Sequence, residues 1–389
     1  MPRISNSPPA CVTSSGGRVL DLSLIPDGGP GWLEASGPES QLVLATRIRL
    51  ARNLARLPFG TRNSPDERER LLDDVVAAAR GTTGLAGATT WRLDRLDLLD
   101  RHLLHERHLV SRELAGLEPS RSVVTGAACL WQGGVGVMVN EEDHLRLQGF
   151  CSGLDLDAVY RATDQLDDEL GQRLPFAFHP EFGYLTTCPT NVGTGLRASV
   201  LIHLPALVLT KEIAKVLQGL AQVGLTFRGL YGEGSEVVGN FFQLSNQTTL
   251  GKSERDLLDH LGMMVRQVIA YEEQARQVLM REAPAVVEDK VWRAYGLLRY
   301  ARTLSFDETM NLLSGVRLGV GLGLIEGLGL YSLNKLLIYS QPAHLAVAEG
   351  MALDDPGLSV RRARFVRRVL DGEADRHRGG PTTRSEGNG

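Results

Sequence analysis

The spacing of apolar residues changes near Glu282, and this change constrains the fold of the 389-residue chain more than any other feature. Before it, short alternating runs typical of strands are mixed with segments of helical spacing. After it, strand patterns fade and Leu-rich helical segments continue to about Leu370. We therefore predict an α+β fold, in which a mostly antiparallel sheet flanked by helices (31–280) is followed by an all-helical C-terminal domain (281–370).

Both ends of the chain differ in composition from its centre. Residues 1–30 begin with a stretch rich in Ser, Pro and Gly, and we predict that they form a flexible leader. Residues 371–389 are polar and Gly-rich, which predicts a disordered tail.

Three segments of the first region carry specific predictions. The apolar runs Arg121–Trp131 and Val135–Asn140 are joined by Gln132–Gly133–Gly134, which predicts an antiparallel hairpin. Apolar residues alternate with more polar ones from Ala198 to Leu204, which predicts a half-buried strand. Ser253 with Asp256 resembles a capping box and predicts the start of a long helix.

Charge, cysteines and hydropathy exclude several classes of protein. A net charge of −4 gives no global basic field for nucleic acid. The four cysteines form no CxxC pair, and no signal peptide is visible, so we expect a reducing cytoplasm. The most apolar stretch, Leu312–Leu337, contains Arg317, Glu326 and Lys335, which predicts buried helix and no membrane span.

Arginines at spaced positions are the candidate phosphate ligands. The segment Gly251–Lys252–Ser253 supplies only the second half of a Walker loop, because Asn246 stands where the first glycine is required, and the start of a helix explains it better. A guanidinium offers a planar fork to phosphate oxygens, although a solvated surface role is the alternative for any one arginine. The candidates are Arg47, Arg49, Arg146, Arg197 and Arg228.

Two glutamates and a cysteine are the candidates for handling a cationic acceptor. A carboxylate can orient a guanidinium and take its proton, and Glu142 and Glu233 are placed in motifs suited to this task. An exposed acidic cluster is the alternative for Glu142. Cys188 precedes Pro189 and a Gly-containing turn, where a thiolate could contact the acceptor; a small buried side chain is the alternative.

These segments resemble a known family. Asn140–Arg146 and Cys188–Arg197 are similar to the signatures of phosphagen (guanidino) kinases. Arg47–Leu54 and Arg228–Glu236, followed by Gly239–Asn240, resemble more closely the bacterial protein-arginine kinases of the McsB type. The resemblance extends from about Trp32 to about Arg368.

The resemblance implies a role for each motif residue. The five arginines would bind ATP phosphates alongside Mg²⁺, with no metal held by protein side chains alone. Glu142 and Glu233 would hold and deprotonate the substrate guanidinium, with Glu236 in reserve, and Cys188 would be the active-site cysteine. The neighbours expected to line the nucleotide site are Thr46, Ile48, Ala198, Ser199 and Gly229.

The resemblance also implies partners and a biological setting. Protein substrates presenting arginine, a Clp-type protease, a stress repressor and a homodimer are expected, with no direct nucleic-acid or membrane partner. Arg47 lies near the N-terminus, which favours an open acceptor site over one enclosed by a preceding helical domain. In the family, the C-terminal domain carries a phosphoarginine-sensing R-D-x-x-R-A motif, from which Leu358 and Ser359 of this chain depart.

The leading hypothesis is therefore an ATP-dependent protein-arginine kinase acting in stress response and protein quality control. A kinase of free arginine or another small guanidino compound is the second hypothesis. A non-catalytic scaffold with the same fold is the third, although the candidate arginines, glutamates and cysteine are all present.

Overall fold

A computed structural model describes residues 31–118, 122–230 and 237–378. The predicted leader and residues 379–389 of the predicted tail lie outside this range, as does Glu233. Eight strands form one antiparallel sheet in the order β2-β3-β4-β5-β1-β8-β10-β9. They are β1 (Val43–Arg52), β2 (Thr89–Arg92), β3 (Ala128–Gln132), β4 (Val135–Val139), β5 (Leu145–Ser152), β8 (Leu196–His203), β9 (Leu225–Arg228) and β10 (Phe241–Asn246).

A separate two-stranded hairpin and a set of α-helices complete the described structure. The hairpin consists of β6 (Phe178–His179) and β7 (Gly183–Tyr184). The helices are α1 (Pro65–Ala79), α2 (Leu98–Glu106), α3 (Leu156–Gly171), α4 (Pro205–Leu209), α5 (Ile213–Gln222), α6 (Glu254–Glu282), α7 (Pro284–Tyr300), α8 (Phe306–Gly321), α9 (Leu330–Tyr339), α10 (Pro342–Glu349) and α11 (Leu358–Arg378). This arrangement confirms the predicted α+β class.

Local sequence chemistry explains several element boundaries. The predicted hairpin is confirmed as β3–β4, and Gly133 and Gly134 both have positive φ angles, as a type I′ turn requires. The capping box is also confirmed, because the Ser253 side chain accepts from the Asp256 backbone while the Asp256 carboxylate accepts from the backbone of Ser253. This box starts α6, which ends at Glu282.

The sheet is covered on both faces, but not to the same extent. One face carries the first core cluster, in which Ile48, Leu147 and Val200 pack against α1, α3 and α6. The opposite face is covered only towards its two sides. Leu44, Leu201 and other strand residues pack there against α7, α8, α9 and α11, while β2–β4 pack against α2. The middle of this second face, around β1, β5 and β8, is left open as a pocket.

This packing corrects two expectations. The strand β8 is not half-buried, because its second face also meets the C-terminal helices: Leu201 and His203 are buried along with Val200. The C-terminal helices share one apolar core with the sheet, and the last of them continues past Leu370 to Arg378. The apolar stretch Leu312–Leu337 contains parts of two helices, α8 and α9, with the positive-φ residues Gly323 and Gly327 between them.

Buried polar contacts join the C-terminal helices to the region that contains the sheet. Glu106, at the end of α2, accepts hydrogen bonds from the backbone of Ala343 and His344 at the start of α10 and from the His344 ring. Arg317 on α8 donates to Asn334 and to the Ser40 carbonyl. The contacts of Glu106 and the Arg317–Ser40 contact join residues at least 237 positions apart, so they fix the position of the helices against the rest of the protein. The Arg317–Asn334 contact joins α8 to α9.

Candidate active site

Strand register brings the candidate arginines together in the open pocket. Arg47 and Arg49 alternate with buried residues on β1, so both side chains lie on the same face. Arg49 is directly opposite Arg197 on β8, and Ala51 is opposite Arg146 on β5. Residues opposite one another on antiparallel strands have Cβ atoms about 4.5–5.5 Å apart. The pocket is lined by Arg47, Arg49, Arg146, Arg197, Arg228, Glu142, Cys188, His105, His108, Ser111, Arg112, Glu113, Glu118, Thr190, Asn191 and Gln243.

Two arginines on β1, Arg47 and Arg49, lack enough negative charge nearby. Burial, followed by repulsion from Arg146 and Arg197, lowers the pKa of Arg47 to about 10, even though Glu141 opposes the change. Burial and the neighbouring Arg47 and Arg197 lower the pKa of Arg49 well below its usual value. In the part of the chain that the structure describes, the buried Nε atoms of Arg47 and Arg49 have no hydrogen-bond partner. This site therefore suits a polyanion.

Arg146 stands in a different electrostatic environment. It forms ion pairs with Glu141 and Glu142 and lies 3.6 Å from Asp143. Burial alone would lower the pKa of Arg146, but Glu141, Asp143 and Glu142 together raise it above its usual value. Its guanidinium thus connects the arginines of the pocket to the acidic motif Glu141–Asp143.

Hydrogen bonds through the backbone fix the loop that presents Glu142. The Thr187 hydroxyl donates to the Glu142 carbonyl (2.8 Å), and the Thr187 backbone donates to Asp143 (2.8 Å). The Asn53 side chain also donates to Asp143 (2.9 Å). The Glu142 carboxylate is half-exposed towards the pocket and accepts from Arg146 at 2.5 Å. A carboxylate held in this way, beside the arginines, can receive a proton from a cationic acceptor.

Cys188 also lines the pocket, directly after Thr187, which bonds to the Glu142 loop. It precedes a short 3-10 turn, Pro189–Asn191, and its Sγ atom is 3.0 Å from the Thr190 hydroxyl. The Thr249 hydroxyl donates to the carbonyls of Thr190 and Val192, and these hydrogen bonds hold the turn in place. The thiol therefore lies at the pocket surface and is not enclosed in an apolar core.

Arg228 is the fifth candidate arginine that lines the pocket, whereas Glu233 lies outside the described residues. Arg228 is the last residue of β9 and is opposite Gln243 on β10. Glu236 lies outside the described residues as well. The role of Glu233 stays a prediction.

The five neighbours expected to line the nucleotide site divide into two groups. Thr46, Ile48 and Ala198 are fully buried on the opposite face of the sheet, where the side chains of Ile48 and Ala198 join the first core cluster. Alternation along β1 and β8 therefore turns these side chains away from the pocket. Ser199, by contrast, shares the face of Arg47 and lines a small adjoining cavity, while Gly229 follows Arg228 and is buried.

Sequence reasoning missed the segment from His105 to Glu113, which also lines the pocket. His108 has a positive φ angle and lies edge-on to Trp32, with 5.4 Å between ring centroids. Gln148 accepts from Arg47 (2.6 Å) and donates to the Leu109 carbonyl (2.7 Å), and Ser111 donates to Glu141. No local pattern marks this segment, because long-range contacts alone bring it to the pocket.

Comparison with known proteins agrees with this geometry. Residues 71–275 match the family described as ATP:guanido phosphotransferase, C-terminal catalytic domain, and residues 284–379 match the protein-arginine kinase McsB C-terminal domain. A protein-arginine kinase from Symbiobacterium thermophilum is 48% identical over 344 residues, covering 87% of this chain and 96% of the relative. The chain belongs to the protein-arginine kinase family. Another member, from Bacillus subtilis, is 41% identical over 348 residues, covering 89% of this chain and 94% of its own length.

Two solved structures of kinases share the fold of this chain. The duplicated taurocyamine kinase from Schistosoma mansoni, with bound transition state analog components, is 28% identical with a TM-score of 0.55. The match covers 67% of this chain, which spans 36% of that duplicated protein. Lombricine kinase is 23% identical with a TM-score of 0.53 over 68% of this chain and 73% of its own, a likeness of fold alone.

The predicted family and enzyme class are therefore confirmed. This chain is a phosphotransferase of the protein-arginine kinase family, and its activity is ATP-dependent arginine phosphorylation. In the described ranges, no helix has the length and apolar character needed to cross a membrane.

Proposed function

We propose that the pocket on the open face of the sheet performs this phosphoryl transfer, with ATP bound by arginines and the acceptor arginine of a protein substrate held by Glu142. One observation supports this assignment most strongly. The same pocket holds Arg47 and Arg49, whose charges the protein does not balance, and the half-exposed carboxylate of Glu142. Phosphate oxygens would satisfy the first group, and a guanidinium the second.

The arginines supply the phosphate clamp. Arg49 and Arg197 lie opposite one another on neighbouring strands, an arrangement that costs free energy until an anion separates their charges. The ATP phosphates supply that anion, and the same guanidinium groups stabilise the charge that develops on the transferred phosphoryl group. Because the arginines lie on strands whose other face is packed against helices, they need little reorganisation when ATP binds.

The acceptor side uses Glu142 and Cys188, which line the same pocket. A nitrogen of the substrate guanidinium forms a bond to the γ-phosphorus as the bond from that phosphorus to the ADP oxygen breaks. Glu142 accepts the proton that the attacking nitrogen loses and then releases it to solvent. The products are phosphoarginine, ADP and one proton. Cys188 is positioned to contact the acceptor, and Glu233 remains the predicted second carboxylate.

Mg²⁺ is proposed to arrive with the nucleotide. Within 31–118, 122–230 and 237–378, no group of three or more His, Cys, Asp or Glu side chains is placed to bind a metal ion, whereas the arginines fit the phosphates that would carry one. When bound, Mg²⁺ would offset charge on the β- and γ-phosphate oxygens.

The cellular setting is proposed from the family resemblance. We expect a cytoplasmic homodimer whose marked substrates pass to a Clp-type protease, and a stress repressor among those substrates. Phosphorylation replaces the positive charge of an arginine by a negative group, which would weaken the binding of such a repressor to DNA.

Mass spectrometry at neutral pH tests the proposal. A protein with unfolded segments is incubated with this chain and Mg·ATP, and free arginine is supplied in a parallel reaction. We expect phosphoarginine on the protein from the wild-type chain and almost none from Glu142→Gln. Label on free arginine with none on protein would contradict the proposal in favour of a small-guanidine kinase.

A further inference from the structure

A small aromatic hairpin next to the active site exposes an apolar surface. Phe178 and Phe182, on and between β6 and β7, are 58% and 47% exposed, and nearby Leu250 is 55% exposed. Together with Tyr184, Gly193 and Thr194 they line one shallow groove. Exposed large apolar side chains grouped in this way are typical of a binding surface.

The hairpin is held firmly to the catalytic half of the protein. Tyr184 exchanges two backbone hydrogen bonds with Gly193, at 2.8 and 3.2 Å. Its ring lies beneath the Arg52 guanidinium, with 3.4 Å from Cζ to the ring centroid, and Arg52 is itself paired with the buried Asp167. The Phe178 ring packs edge-on against Tyr184, and Phe182 stacks on His179. The groove is therefore a fixed surface, already formed before any partner binds.

The groove and the active-site pocket share one wall. Cys188, Thr190 and Asn191 line the pocket, while Gly193 and Thr194, in the same loop, line the groove. Cys188 and Gly193 are five residues apart, so at most about 18 Å separates them. A polypeptide whose arginine reaches the pocket beside Cys188 can thus lay a side chain about five residues away in the groove.

Charge at the rim also favours an arginine-bearing segment. Glu181 and Glu254 line the groove together with Lys252, which gives the rim a net negative charge. An acidic segment would be repelled there, whereas a segment that carries arginine would be attracted.

We propose that this groove binds an apolar side chain of the protein substrate located within about five residues of the acceptor arginine. The inference rests on the proposed function, because it takes the acceptor to be an arginine within a polypeptide. The groove thereby selects segments that present arginine and an apolar residue together in extended form. A folded protein buries most such apolar side chains, so unfolded segments fit the groove better.

Two peptides and three proteins test this inference. One peptide carries a single arginine among Ser and Gly residues, and the second has a Phe about five residues from that arginine. They are compared as substrates of the wild type, of Phe178→Ser/Phe182→Ser, and of Val286→Ser as a control that removes an exposed apolar side chain from α7. Phosphoarginine formation gives kcat/KM for each pair.

We expect the wild type and the control to prefer the Phe-containing peptide by about tenfold, which corresponds to about 1.4 kcal/mol. The double variant should lose this preference while its rate on the polar peptide stays within about twofold. Equal rates of the wild type on both peptides, or an unchanged preference in the double variant, would overturn the inference and leave the proposed function standing. Absence of phosphoarginine on both peptides would contradict the proposed function and this inference with it.

Sedimentation of the same proteins separates substrate binding from self-association. If a second copy of the chain covers the groove, the double variant will change its mass in solution and keep the peptide preference. That result would also overturn the inference. An unchanged mass together with a lost preference is the expected result.

Discussion

Arg52 is buried and Arg49, on the same strand, is largely shielded from solvent, yet their surroundings are opposite. Arg52 donates to Asp167 and to the carbonyls of Ala51 and Thr194. Arg49 faces other arginines, and its Nε has no partner within the described residues. Burial alone therefore does not tell a structural arginine from a binding one. The difference lies in whether the protein itself satisfies the guanidinium.

Arg362 in the C-terminal helices resembles Arg52, because the protein itself supplies hydrogen-bond acceptors for its guanidinium. Its guanidinium donates to the carbonyls of Ser340 and Leu304, which join α11 to the ends of neighbouring segments. These two contacts hold α11 in place.

The largest expected effect is on turnover, from Glu142→Gln. Loss of the proton acceptor should lower kcat by about 10²–10⁴-fold. ATP affinity should change little, because Arg146 keeps its ion pair with Glu141. Steady-state kinetics and nucleotide titration measure the two effects, with Glu288→Gln on the exposed side of α7 as the matched control. Normal turnover in Glu142→Gln would remove this residue from the mechanism.

Substitution of Arg52 should mainly affect the stability of the fold. Arg52→Ala leaves the Asp167 carboxylate buried without its cation and should lower the free energy of unfolding by about 3–5 kcal/mol. Urea denaturation measures the change. Arg255→Ala, which breaks exposed pairs with Asp157 and Asp259, is the control and should have a much smaller effect. Similar stabilities of the two variants would show that the buried pair does not hold the fold.

Arg197→Ala should instead lower activity and leave stability nearly unchanged. Removal of one phosphate ligand should lower kcat/KM by about 10²–10³-fold. The free energy of unfolding should stay within about 1 kcal/mol of the wild type, because the substitution also removes a like charge opposite Arg49. Arg197→Lys, which keeps the charge but loses the fork, should retain part of the activity. A large loss of stability with little loss of activity would reverse the assignments of Arg197 and Arg52.

The smallest expected effect is that of Cys188→Ser. The serine hydroxyl can keep the contact with Thr190, and Sγ is the only atom exchanged. A single hydrogen bond contributes about 0.5–1.5 kcal/mol, so kcat/KM on a protein substrate should fall by no more than about tenfold. Complete inactivation would give the thiol a role in the chemical step and not only in contacting the acceptor.

Much of the fold could be predicted because the relevant signals are local. The β3–β4 hairpin follows from two glycines, and the start of α6 follows from Ser253 and Asp256. The burial of β8 on both faces could not be predicted, because it depends on where the C-terminal helices pack. The extension of α11 to Arg378 could not be predicted either, because residues 371–378 belong to a segment whose composition is typical of disorder.

For the candidate site, alternation on β1 correctly placed Arg47 and Arg49 on one face, and the same alternation turns Ile48 away. His108 could not be found in this way, because its backbone turn and its contact with Trp32 come from tertiary structure. The same alternation places Arg52 on the face of Ile48, opposite to Arg49. The sequence could not show the partner of Arg52, because Asp167 on α3 reaches it only through tertiary structure.

Thermal unfolding of the wild type and of Arg49→Ala, with and without Mg·ATP, tests the central claim most directly. Without nucleotide, Arg49→Ala should be as stable as the wild type or more stable, because a repelled buried charge has been removed. At about 100 times the dissociation constant, ATP should stabilise the wild type by about 2.7 kcal/mol, and the variant much less at the same concentration. A variant that is strongly destabilised without nucleotide but gains as much from ATP as the wild type would contradict the account, because Arg49 would then serve the fold and not the phosphates.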